Sequence, residues 1–316
     1  MARNRDGSAA NCFWDPHAAP ADPRPGFCWR FLCPSGSYRR QILAQVAEIV
    51  AAYPVDGFFF DICFITVCHC PECRAGMEER GLDPDRDEDA RTYDRVKWQA
   101  LCADLNSLIH ARHPEATVFY NGGASPDTPE WHVGDTHIEI EDLPSSDGSY
   151  DRFPLRARYF AGTGKPYVAM SGKFHTGWGE FGGYKHPEAI RYEAAAMIAY
   201  GARCTFGDQL HPSGEVDLET WRNIGHAYRY VRRIERLGLD AEPAANLGLW
   251  LSGSTADDQG TASMLLELHR DFRVVGPETD LAGLEAVVVA GGPCLDAASA
   301  AKLAGFAEDG GRLLLL

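Results

Sequence analysis

The chain has 316 residues, 45% of them hydrophobic, enough to bury a full core and to suit one large domain with a smaller one. Its formal net charge of -15 repels phosphate backbones and no Lys/Arg run compensates, which excludes nucleic acid as a partner. No stretch reaches the roughly 18 consecutive apolar residues of a membrane span, and the first residues hold no apolar signal core, so no membrane partner and a cytoplasmic location are expected.

From residue 40 to about 238, short apolar runs alternate with stretches of helical periodicity, the pattern of parallel strands joined by crossover helices. Met1 to Arg5 reads as the tail of an earlier strand, with Arg5 and Asp6 at its end. A helix over 39–52 places Ile42, Val46, Ile49 and Val50 on one stripe and runs into the strand 55–61. Period two sets Gly57, Phe59 and Asp61 on one face of that strand and Asp56, Phe58 and Phe60 on the other. A helix over 91–112 carries Val96, Leu101, Leu105, Leu108 and Ile109, and the strand 117–121 ends on Asn121. The strand 136–141 alternates strictly and is followed by a helix near 150–163 and the strand 166–170. A glycine-rich, aromatic loop over 171–185 precedes a helix at 187–200, the strand 203–208 and a helix near 217–237.

These βα units fit an open sheet or a closed barrel. Asp61, Asn121, Glu141 and Asp208 each end a different strand, which is how a (β/α)8 barrel assembles one site from many loops, and this favours the barrel. Counting strands leaves the first two of eight unaccounted for, so residues 1–240 are expected to form an N-terminally incomplete barrel. After Ala241, Glu242 and Pro243 the texture changes to strands near 245–251, 272–275 and 284–290, helices near 261–270 and 296–308, and a terminal Leu run that stops inside a strand. Residues 241–316 therefore read as a second, C-terminally incomplete α/β domain. Its Gly291, Gly292 and Pro293 do not complete a G-x-G-x-x-G loop, so no organic cofactor is expected and the domain is given a structural or oligomerisation role.

Alternation turns His137, Glu139 and Glu141 to one face while Ile138 and Ile140 pack outward. Three ionisable groups facing a barrel interior are costly unless used. Glycoside hydrolysis with retention needs two carboxylates, and Asp61 with Glu141 or Glu139 supplies such a pair; Asp61 alone reads equally as a turn cap. Glu141, nearer the strand end, is preferred as acid/base. Lys173, His175 and Trp178 in the aromatic loop, with Asn121, His137, Asp208 and His211, are candidates for holding a sugar, Trp178 by stacking.

Cys68, Cys70 and Cys73 form C-x-C-x2-C just after the Asp61 strand, a spacing that suits soft-metal binding better than a disulfide framework. Such thiolates hold a tetrahedral zinc that needs a fourth ligand, for which Cys33, Cys28 and Cys63 are available; four cysteines leave no open position and imply a structural ion.

The run Cys33, Pro34, Ser35, Gly36, Ser37, Tyr38, Arg39, Arg40, then a helix, the Asp56 to Asp61 strand and the cysteine motif resembles the zinc-containing β-galactosidases of glycoside hydrolase family 42. That resemblance implies Cys33 as the fourth ligand, and a flavodoxin-like trimerisation domain from about residue 245, hence a homo-oligomer, trimer or dimer. It departs where that family carries an Asn-Glu pair, since Asp61 is followed by Ile62 and Cys63. The Asp56 to Asp61 strand, the Glu139/Glu141 strand, the Phe174 to Gly179 loop and the run Gly207, Asp208, Gln209, Leu210, His211, Pro212 look more like the glycosyl hydrolases grouped with family-151 α-L-fucosidases. This second resemblance implies Asp61 as the nucleophile and a glycoside or oligosaccharide substrate.

Overall fold

A computed structural model describes residues 1–13, 28–63, 66–126, 132–145, 149–292 and 295–316. The chain divides into two compact units, Met1–Gly122 with Pro129–Thr136, and Gly123–Thr128 with His137–Leu316.

In the first unit a short antiparallel pair, β1 (Asn11–Phe13) and β2 (Cys28–Arg30), precedes α1 (Gly36–Ala52), β3 (Gly57–Phe60), α2 (Pro71–Glu78), α3 (Asp87–His110) and β4 (Thr117–Tyr120). Strands β3 and β4 are parallel, with Gly57 opposite Thr117 and Phe60 opposite Tyr120. A Cβ at position 57 would collide with the Thr117 side chain, so the close approach of the strands at that end requires glycine. The expected alternation holds: Phe58 and Phe60 pack with Val46, Val50, Leu101, Leu105 and Ile109, while Phe59 is exposed. Phe60 stacks on Tyr120 with ring centres 5.0 Å apart. Ile49 and Val96 fall off the apolar stripes expected of them and are exposed; Trp98 and Cys102 take buried places on α3 instead.

The N-terminal residues differ from the expected strand tail. Residues 1–10 turn back on themselves, with an antiparallel bridge from Arg3 to Ala9 and Gly7 in the left-handed region at φ 84°. The Asp6 carboxylate accepts from the Ser8 hydroxyl and amide, and these hydrogen bonds hold its carboxyl below the usual range. Arg5 pairs with Asp87 at 2.5 Å on the surface. Arg5 and Asp6 thus belong to a turn, because a glycine and an Asx turn outweigh the weak β-propensity of this run.

The second unit opens with β5 (Ile138–Glu141), α4 (Arg152–Ala161), β6 (Tyr167–Gly172), α5 (Pro187–Ala199), β7 (Arg203–Gly207) and α6 (Leu218–Gly238). The strands form a parallel sheet in the order β5-β6-β7, the repeat from which (β/α) barrels are built. It continues with β8 (Leu247–Trp250), α7 (Thr255–Glu267), β9 (Arg273–Val275), β10 (Ala286–Val289), α8 (Ala297–Glu308) and β11 (Arg312–Leu315). These strands are parallel in the order β11-β10-β8-β9, the flavodoxin-like doubly wound arrangement. Arg158 of α4 joins the two sheets' surroundings: its guanidinium lies 4.4 Å from both the Tyr200 and Phe272 rings, donates to the Phe272 carbonyl at 2.9 Å and pairs with Asp271 at 2.7 Å.

Helix α7 starts six residues earlier than its apolar periodicity suggests. Ser254 caps it, and its first turns hold Asp257 and Asp258, which favour a helix N-terminus without contributing to an apolar stripe. Helix α2 goes unread in the sequence because it has only 8 residues and starts inside the cysteine motif, with Pro71 at its first turn.

Candidate active site and metal centre

Four thiols meet in the first unit. Cys33 precedes α1, Cys68 and Cys70 lie in the segment before α2, and Cys73 is in α2's first turn. All four are buried and their sulfurs lie within 4.8 Å of one another, with Cys33 and Cys73 at 3.3 Å and Cys33 and Cys70 at 3.9 Å. A tetrahedral zinc with Zn–S bonds of about 2.3 Å sets its sulfurs roughly 3.8 Å apart, so the donor set fits that ion in chemistry and in size. The thiols of Cys33 and Cys73 donate toward Cys68 and pull its own thiol far below the usual range. By contrast, burial pushes the lone thiols of Cys102 and Cys204 up to about 12. Cys63, a candidate fourth ligand, points elsewhere, its thiol donating to the Phe60 carbonyl at 3.3 Å. The Cys28 side chain lies outside the described residues.

Asp61 follows β3 and accepts from Asn121 Nδ2 at 2.9 Å. The backbone reinforces this pairing, since the Asn121 amide donates to Phe60 and the Cys63 amide to Asn121. Between them Ile62 sits at φ 58°, a left-handed conformation that a β-branched residue adopts at a cost of about 1–3 kcal/mol. Strain of this kind persists where surrounding contacts impose it, and here it turns the chain immediately after Asp61.

In the second unit β5 alternates as expected, with Ile138 and Ile140 buried and Glu139 and Glu141 half-buried. His137 Nε2 lies 3.0 Å from Glu139 Oε1 on the shared face. Glu141 Oε1 accepts from the Trp178 indole N–H at 2.5 Å. The indole rests on Phe174, ring centres 4.7 Å apart, and beside Gly207, where any Cβ would collide with it. Glu180 shapes this loop by accepting the amides of His175 and Thr176, each at 2.8 Å. Lys173 is 1% exposed; its ammonium donates to the Phe181 carbonyl at 2.9 Å and lies 3.9 Å from Asp208. The His211 ring meets Phe181 edge-on at 5.1 Å.

No protein-family profile matches the sequence, and no curated protein matches it either. Among solved structures, α-L-fucosidase isoenzyme 2 from Paenibacillus thiaminolyticus is 34% identical over 100% of this chain and 48% of that one, with a TM-score of 0.89. The chain is similar to that fucosidase along its whole length. Two β-galactosidases, from Bacillus circulans sp. alkalophilus and from Rahnella sp. R3, share the fold at 14% identity. They superpose over 92% and 90% of this chain and 57% and 55% of theirs, with TM-scores of 0.72 and 0.67. The chain therefore spans about half the length of each of these structures.

The second unit also holds groups that periodicity did not point to. Beneath β6, Lys185 Nζ contacts Glu193 Oε2 at 2.8 Å and Ser171 Oγ at 3.1 Å, and Tyr150 donates to Glu193 Oε1 at 3.3 Å. Glu193 sits on the α5 face of Ile190, Ala194 and Met197, so a charge on an apolar stripe was the available signal. Asp258, in the first turn of α7, reaches back to the β8–α7 loop and accepts the amides of Ser252 and Gly253 at 2.6 Å and 3.2 Å. Those amides are the ones a phosphate would use in a doubly wound fold.

Proposed function

We propose that the chain is part of a retaining, α-L-fucosidase-like glycoside hydrolase in which Asp61 is the nucleophile and Glu141 the acid/base, with Glu139 as the neighbouring carboxylate. The observation that carries this reading is the 34% identity to an α-L-fucosidase over the whole chain. The carboxylates at the ends of β3 and β5 support it.

In this reading Asp61 attacks the anomeric carbon and forms a glycosyl-enzyme while Glu141 gives a proton to the departing oxygen. Glu141 then takes a proton from the water that releases the sugar. Asn121 orients the nucleophile through its 2.9 Å hydrogen bond, and the Trp178 indole fixes Glu141 in the same manner. His137, Lys173, His175, Asp208 and His211 complete the candidate sugar-holding set. Lys173 acts from beneath the loop, since its ammonium is already engaged by Phe181 and Asp208.

Zinc in the four-cysteine cluster is proposed as a structural ion that fastens the segment after β3 to the segment before α1. With all four positions occupied by sulfur it takes no part in the chemistry. Residues 1–240 are assigned to the hydrolase barrel and 241–316 to a flavodoxin-like domain through which a cytoplasmic homo-oligomer, trimer or dimer, assembles.

Hydrolysis of aryl α-L-fucosides and aryl β-galactosides by the full-length protein carrying this chain tests the reading. Turnover of the fucoside with retained configuration is expected, and a preference for the galactoside would replace the substrate assignment. Binding of either sugar without any turnover would make the protein a carbohydrate-binding module.

A further inference from the structure

The four clustered cysteines are all buried, so their charge has little water to stabilise it. A divalent ion offsets only half the charge of four thiolates, and the chain already carries a formal charge of -15. Such a centre is held by donors and cations placed against its sulfurs. Two backbone amides serve Cys68: those of Arg3 at 3.3 Å and of Cys70 at 3.4 Å. Cys73 is served differently. Its Sγ lies 3.6 Å from the ammonium of Lys97, a side chain on α3 that is 5% exposed.

Lysine is almost never fully buried unless it is paired, and Lys97 is paired with Asp94, three residues earlier on α3 and 1% exposed. A pair that merely stapled α3 would gain from facing solvent, where desolvation costs nothing. Here both members are buried and the ammonium faces the Cys73 sulfur, with the Tyr93 ring centre 5.9 Å from it.

We propose that Lys97 is the outer-shell cation of the metal centre: it donates to the Cys73 sulfur, offsets the charge of the loaded cluster and so sets how tightly the ion is held. This rests on the zinc reading above. Asp94 anchors the ammonium and also competes with Cys73 for its protons, so the two partners of one ion pair have opposite effects on the metal.

The test is zinc content of the purified full-length protein carrying this chain, followed by competition with a chromophoric chelator for the wild type, Lys97→Met and Asp94→Asn. Lys97→Met is expected to weaken zinc binding by about 10–100-fold. Asp94→Asn, which keeps the ammonium, is expected to bind zinc at least as tightly as the wild type. If Lys97→Met does not fold, the paired substitution Asp94→Asn with Lys97→Met, which leaves no lone buried charge, carries the same expected loss. Wild-type affinity without the ammonium overturns the inference and leaves the zinc reading intact. Equal losses in Lys97→Met and Asp94→Asn also overturn it, since they reduce the pair to a packing device. A wild type that neither carries nor takes up zinc overturns the zinc reading and the inference with it.

Discussion

The cysteine corner of the first unit and the carboxylate strand end of the second are assembled in contrasting ways. At the corner, four sulfurs are buried, face one another and are closed over by Tyr93 and Lys97 of α3. At the strand end, Glu141 is half-buried and shares its hydrogen bond with an indole that is 48% exposed. A closed, sulfur-only site suits an ion that never leaves, whereas an open one with an aromatic edge suits a molecule that enters and departs. Asp61 belongs with the second kind although it precedes the cysteine motif closely in sequence, being exposed, with its carboxylate held by Asn121 Nδ2.

The sharpest way to break this contrast is at the open site. Asp61→Asn in the full-length protein is expected to lower kcat on an aryl fucoside by on the order of 10³-fold or more, with zinc content unchanged. Activity that survives the substitution would remove Asp61 as nucleophile. At the closed site, Cys33→Ala is expected to do the reverse, costing metal and several kcal/mol of stability in thermal unfolding. Trp178→Phe keeps the ring but removes the indole donor to Glu141, and a 10–100-fold fall in kcat with KM little changed is expected.

Two smaller effects sharpen the comparison. Ile62→Gly is expected to raise unfolding stability by about 1 kcal/mol by relieving the left-handed strain, while loosening Asp61 and lowering kcat. The lone thiols give the reference for the cluster. Cys102 and Cys204 are pushed up to about 12 by burial, so at pH 8 iodoacetamide should modify them roughly 10³-fold more slowly than an ordinary thiol. Because their folded values lie above the unfolded one, the associated stability is complete below pH about 9 and declines as pH rises toward 12. Mass spectrometry after alkylation, and unfolding midpoints across that range, read these two expectations.

Much of this was legible in residue spacing. Period two placed Phe58 and Phe60 against the helices and Glu139 and Glu141 on the opposite face from Ile138 and Ile140, because strand geometry fixes sidedness whatever the tertiary setting. The C-x-C-x2-C run announced itself by local density of thiols. Groups that act across sequence were hidden: Lys97 meets Cys73 from 24 residues away and Glu193 meets Tyr150 from 43, and no periodicity encodes such meetings. Ile62 was hidden for another reason, since a β-branched residue gives no sign that it will be forced into a conformation it resists.

The ligand spacing of the cysteine corner has a kinetic consequence. Cys68, Cys70 and Cys73 are neighbours in the chain, whereas Cys33 lies 40 positions before Cys73, with α1 and β3 between them. An unfolded chain can therefore chelate an ion with the three close thiols as a loose tripod before Cys33 docks. Docking of Cys33 has to wait until α1 and β3 have found their places. Once it has docked, an ion held there could leave only if that docking were undone, so a metal bound by these four thiols would act as a latch that records the completed assembly of this corner.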